Sequence, residues 1–247
     1  MNRLQTFIAG TVLAALAVAA LGIFATAAAT NTRLVIVNGW AGKTVNICLD
    51  GKRVAQGVRY GKYVVRFVNN KKHVIKFVRA PLGCGATKLV KRSFDPPSGG
   101  TDATIVLTRR SPGRLMAFSN DDLNAALGEA TVAFALRHAG DLGKVTFKGA
   151  QIGDIEYVSP AEPSASPDPV WVKGDRNEGV GSSSDVLKIR ATRPDKSKVL
   201  AKTPWTRFRK GYRTEIIVVG DKGRNAKLVR VKVKNRPGPT PSPTPAP

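Results

Sequence analysis

The sequence predicts an all-β protein of two tandem β-sandwich-like, Ig-like modules related by internal duplication, placed behind an N-terminal signal or anchor helix. Three observations predict it. Short runs of alternating apolar residues recur from Thr32 onward, separated by Gly, Pro and Asn clusters. Helical periodicity is confined to one brief stretch. The pattern of the first half returns in the second at a spacing of 98 that grows to about 110. A chain of 247 residues accommodates two such modules, each of about 100 residues.

The N-terminal segment comes first in order. Met1-Asn2-Arg3 is a short positive start, and Phe7 to Ala29 carries no charge. Ala25-Thr26-Ala27 and Ala27-Ala28-Ala29 match the small-residue cleavage pattern, so residues 1–29 read as a signal peptide. The apolar run is also long enough to cross a bilayer, so an uncleaved anchor is the alternative. Either way the charge order places the rest of the chain outside the cytoplasmic membrane, secreted or held at the cell envelope. The two cysteines, Cys48 and Cys84, are expected to pair in that oxidising compartment. In the chain-entropy model a bond closing a loop of this size stabilises by roughly 3–4 kcal/mol.

The first module is expected over residues 31–118. Leu34 and Ile36 alternate with Val35 and Val37, and Val45, Ile47 and Leu49 alternate with Asn46, Cys48 and Asp50. Asp50-Gly51 predicts a tight hairpin turn. Strands continue at 64–68, 74–78 and 104–107. A linker follows at 119–128, where Ser119 or Asn120 caps a short helix and Gly128 ends it. The second module is expected over 129–235. Ala139-Gly140 and Gly149 answer Ala41-Gly42 and Gly51, Val186–Ile189 answers Val74–Phe77, and Glu215–Val218 answers Thr104–Leu107. The growing offset implies an insertion, visible as the turn-rich 159–169. Residues 236–247 alternate proline with Thr, Ser and Ala, a polyproline-prone tail with nothing to build a core.

These strands resemble a family of exported bacterial proteins known as a domain of unknown function, DUF 4397. Val45-Asn46-Ile47-Cys48-Leu49-Asp50-Gly51 and Val58-Arg59-Tyr60-Gly61 match its strand ending in Asp-Gly and the Tyr-Gly that follows. Arg137-His138-Ala139-Gly140-Asp141 looks like its His-containing loop, with Val145-Thr146-Phe147 as the next strand. The first loop, Asn38-Gly39-Trp40-Ala41-Gly42, departs by lacking His and Pro, and Asn46 and Lys144 stand where the family often has Asp. The resemblance implies the fold and export, and supplies no activity.

Catalytic equipment is sparse. Gly42-Lys43-Thr44 lacks the upstream Gly and following helix of a phosphate loop. His73 and His138 each stand alone, His73 entering a strand and His138 in a loop. No Gly-x-Ser-x-Gly elbow occurs, and Ser182-Ser183-Ser184 reads as a polar loop. Asp154 and Glu156 share a strand face without a spacing that argues for paired carboxylate chemistry. No enzyme activity, cofactor or metal is expected, an unrecognised hydrolase being the least favoured reading.

Charge is more informative. Forty basic residues against seventeen acidic ones give a formal charge of +23, which bears on association with anions and not on fold. The densest run, 196–236, supplies the polyanion-binding candidates Arg207, Arg209, Lys210, Arg213, Arg230, Lys232 and Lys234. On the last strand Arg230, Lys232 and Lys234 face opposite to Val229, Val231 and Val233. Such a row also keeps an edge strand from pairing with other molecules. Trp205, Phe208 and Tyr212 are stacking candidates whose ordinary use is burial. The expectation is a non-catalytic envelope module contacting an anionic cell-wall polymer, acidic glycan or membrane surface. The alternative is a protein-interaction or adhesion module, with another envelope protein as partner and the charge incidental. Nucleic acid is not expected as the physiological partner.

Overall fold

The computed structural model describes residues 31–97, 102–109, 115–119, 132–149, 153–158, 171–172, 178–182, 186–193, 198–209, 211–221 and 224–234. Residues 1–29, expected as a signal peptide or anchor, most of the linker, the 159–169 insertion and the 236–247 tail lie outside the described residues. Ser119, expected as a helix cap, instead ends a strand.

Every described element is a strand. The first half forms β1 (Thr32–Asn38), β2 (Val45–Leu49), β3 (Lys52–Val58), β4 (Tyr63–Val68), β5 (His73–Arg79), β6 (Lys88–Phe94), β7 (Asp102–Leu107) and β8 (Leu115–Ser119). Two sheets result, ordered β4-β1-β7-β8 and β3-β2-β5-β6. The second half forms β9 (Val132–His138), β10 (Val145–Gly149), β11 (Gly153–Val158), β12 (Trp171–Val172), β13 (Glu178–Ser182), β14 (Val186–Leu187), β15 (Ile189–Thr192), β16 (Val199–Lys202), β17 (Thr206–Arg207), β18 (Tyr212–Asp221) and β19 (Arg224–Lys234). Its main sheets run β13-β9-β18-β19 and β11-β10-β15-β16, with β14 and β17 paired separately.

Strand order and sense agree between the halves. β1 pairs parallel with β7, and β9 parallel with β18. Val45 opposes Val58 and Val145 opposes Val158, each followed by a register shift before Ile47 or Phe147. This register makes Gly39-Trp40, rather than Ala41-Gly42, the positional counterpart of Ala139-Gly140, because Gly39 N–H donates to Leu107 O as Ala139 N–H donates to Val218 O. Likewise β15, not the Val186–Ile189 stretch as a whole, answers β5, since both are the second antiparallel neighbour of their hairpin strand.

The Asp50-Gly51 turn has the expected form. Leu49 and Lys52 are joined by two residues at φ 50° and 79°, the left-handed pair that suits the twist of a hairpin. Cys48 on β2 is bonded to Cys84 in the β5–β6 connection.

Among the described residues three apolar cores separate four sheet layers. Leu34, Ile36, Val45, Ile47, Ile75 and Phe77 fill the first sandwich. Phe134, Leu136, Val145, Phe147, Ile216 and Val218 fill the second. Between the sandwiches lies a third, made by Val35, Val37, Val106 and Phe118 against Ile217, Val219, Val229, Val231 and Val233. β1 and β7 are therefore buried along their whole length, and β18 at all but its two ends, as expected of strands covered on both faces.

Charge crosses this middle layer. Asp102 is shared by Arg33 and Arg213, all about nine-tenths buried or more. Glu215, fully buried, accepts from Arg137 Nε at 2.8 Å and from Thr104 Oγ1 at 2.9 and 3.0 Å. The Arg137 guanidinium also lies 4.9 Å from the Phe118 ring centre. Buried carboxylates demand such partners because an isolated buried charge is prohibitively costly. A further link comes from β12, which follows the insertion in sequence yet pairs with β8 of the first half.

Candidate functional site

β19 is an edge strand, so its two faces have different fates. Val229, Val231 and Val233 enter the middle core. Alternation then sends Leu228, Arg230, Lys232 and Lys234 to the opposite side, where Arg230 and Lys234 are exposed and Lys232 is half-buried. Lys232 Nζ sits 4.1 Å from the centre of the Tyr212 ring, a geometry that attracts and orients a cation. Across from β19, the segment after β16 completes an open cleft of about 420 Å³. Its walls include Lys202, Pro204 and Thr206 on one side and Lys227, Leu228 and Arg230 on the other.

Lys202 and Lys227 are exposed site residues that the candidate set did not contain. Both belong to the dense basic stretch, and only the packing of β16 beside β19 brings them together. Lys227 also crosses the Tyr60-Gly61 turn of the first half, its Nζ 5.7 Å from the Tyr60 ring centre. A Cβ on Gly61 would stand 2.6 Å from Lys227 Cδ, so a side chain there would push Lys227 aside. Tyr60 donates to Asn225 O and, at 3.4 Å, to Val219 O. The Tyr-Gly pair thus docks the halves together.

The other candidates divide. Arg207 and Arg209 are exposed, and Lys210 lies outside the described residues. Arg213 belongs to no cationic surface: it points into the middle layer and is taken up by Asp102. Alternation explains this, since Arg213 shares the face of β18 that carries Glu215 and Ile217. Phe208 is core, its ring centre 5.0 Å from that of Phe134. Trp205 stands 59% exposed between two cleft-wall residues, with Lys188 Nζ 5.9 Å from its centre.

Neither histidine stands ready as a base. His138 ends β9, not a loop, and is 1% exposed. Gly140 N–H donates to its Nδ1 at 3.2 Å, leaving Nε2 to donate to Gly143 O at 2.7 Å. Asn38, at the matching place on β1, does the same work. Its Oδ1 accepts from Trp40 N–H at 3.1 Å, and its Nδ2 donates to Lys43 O at 2.8 Å. An amide on β1 thus makes the same kind of contacts that the imidazole makes on β9. His73 holds Asp50 at 2.6 Å and Asn69 O at 3.1 Å. Partial burial would raise the Asp50 carboxyl, but the Val74 N–H and His73 outweigh it and hold the group below its ordinary value. Among the described residues no cluster of metal-ligating side chains occurs. Among the described residues the cleft walls present cations, hydroxyls and apolar surface but no carboxylate, imidazole or thiol.

No family model matches this chain, and no curated protein matches it. Among solved structures it is similar to a family 26 carbohydrate-binding module from Eubacterium rectale Amy13K, solved in complex with maltoheptaose. That likeness covers 83% of this chain and 98% of the other at 10% identity, with a TM-score of 0.27. A score this low ties neither the fold nor the ligand of that module to this protein.

Proposed function

We propose that this chain is an exported, non-catalytic module of the cell envelope that holds anionic envelope polymers along the cation-bearing face of β19. One observation carries the reading: Lys202, Arg230 and Lys234 are exposed and form no ion pair among the described residues. The buried acids Asp102 and Glu215 are taken up between the sandwiches, so they cannot neutralise that surface. The export segment and the Cys48–Cys84 bond support an oxidising compartment outside the cytoplasm. Membership of the DUF 4397 family and origin by duplication belong to the same proposal, supported by the Asp-Gly and Tyr-Gly motifs and by the matching strand order.

Binding of the full chain to purified envelope material should weaken steeply between low and moderate salt. Replacing Arg230, Lys232 and Lys234 together with Gln should weaken it at low salt. Retention that ignores both salt and the triple substitution would overturn the reading. It would favour instead a protein-interaction module, for which the exposed Phe67 on edge strand β4 is the natural contact.

A further inference from the structure

We infer that the cationic row of β19, whose Arg230 end opens into the cleft, is built for an extended phosphodiester chain, not for a polyuronate or a flat lipid surface. This deepens the polyanion reading above and rests on it. Spacing is the first argument. Arg230, Lys232 and Lys234 occupy alternate positions of one regular strand whose ladder with β18 is continuous from Val219 to Tyr212. Side chains of one strand face repeat about every 7 Å. Phosphates joined through a three-carbon bridge are separated by six single bonds, which extend to about 7 Å. Each cation can then meet one phosphate without bending either partner. A polyuronate spaces its carboxylates by whole sugar rings and falls out of step.

Shape is the second argument. Arg230 faces a wall that carries Lys202 and Pro204, so its end of the row lies in a cleft and not on an open plane. A single polymer strand enters such a cleft; a bilayer surface does not. Chemistry is the third. The Arg230 guanidinium offers a planar fork that suits two phosphate oxygens. Leu228, Ala226 and Ala201 line the cleft beside it, giving apolar surface to the carbon bridges between phosphates. Lys232 is held over Tyr212, which lowers the entropy lost when it takes up its anion.

The test uses the full chain and three soluble probes matched in charge number: a poly(glycerol phosphate), a single-stranded oligodeoxynucleotide and a polygalacturonate. Affinities are measured against salt for wild type and for the Arg230→Gln, Lys232→Gln, Lys234→Gln variant, with denaturant midpoints confirming that the variant folds. Both phosphodiesters should bind at least about tenfold tighter than the polyuronate. For the oligodeoxynucleotide, the triple substitution should lower the log–log salt slope by about 2. Tighter binding of one phosphodiester than the other supports the inference and names the source. Equal binding of all three probes, with the slope still falling in the variant, would overturn the register argument and leave the polyanion reading standing. Failure of all three to bind would overturn both.

Discussion

Glu215→Ala tests how much the buried middle layer holds the two halves together. Glu215 is fully buried and Arg137 is 1% exposed, so the substitution leaves a guanidinium without its carboxylate where water cannot replace it. Breaking a buried pair from one side costs about 3–5 kcal/mol. The Thr104 hydroxyl loses its acceptors at the same time, adding about 1 kcal/mol. Against a total stability of about 5–15 kcal/mol, that is a large fraction. Urea denaturation followed by far-UV circular dichroism and by tryptophan fluorescence measures it. In a Trp171→Phe, Trp205→Phe background the remaining Trp40 packs against the first core, so its signal reports on the half that does not contain Glu215. Both signals should move to lower urea together, because the damaged contact belongs to both halves. Removing every polar member, as Thr104→Val, Arg137→Met, Glu215→Leu, should recover most of the loss, since apolar replacement of a buried pair is often neutral or better. A Glu215→Ala shift under about 1 kcal/mol, the size of an exposed pair, would refute the reasoning. So would a shift seen by circular dichroism while Trp40 fluorescence stays put.

Two further outcomes follow from the same layer. Partial burial, reinforced by the Asp221 carboxylate, pushes the Tyr60 phenol up to about 12 from an ordinary 10.0. The folded value is the higher one, so Tyr60 contributes stability that is complete below pH 10 and is lost as pH rises toward 12; Tyr60→Phe should flatten that part of the stability profile, and an unchanged profile would show that the phenol is not held. Gly39→Ala would set a Cβ 2.7 Å from Leu107 O and 2.9 Å from Val219 Cγ1, and should cost about 1–3 kcal/mol by overpacking. Gly83→Ala, which meets nothing within 4 Å, should leave the urea midpoint unchanged; equal effects of the two would refute the packing argument.

The all-β class was legible because alternation and turn chemistry are local. Asp50-Gly51 specifies its turn with two residues, and Cys48 had only Cys84 to meet. The middle core was less accessible. Its trace is present in Leu34–Val37 and Ile216–Val219, apolar runs without alternation, which a strand needs only when both faces are covered. Arg137 and Glu215 look like surface residues in sequence because nothing nearby in the chain announces a partner 78 positions away. Arg213 was misplaced for the same reason: residue type predicts exposure, while its register on β18 decides burial. The row on β19 could be read from period two alone. Its opposite wall could not, since Lys202 reaches it only through the meeting of two separate sheets.

The paired contacts of the middle layer bear on how molecules can associate. Asp102 meets Arg213 and Thr104 meets Glu215, each pair 111 residues apart and at corresponding places on β7 and β18. Two first halves brought together in this manner would set Asp102 beside Asp102, each left with only the Arg33 of its own half. Two second halves would set Arg213 beside Arg213, with no Asp102 to take either up. The seam therefore has a polarity: a first half suits a second half, whose Arg213 meets Asp102, better than it suits another first half.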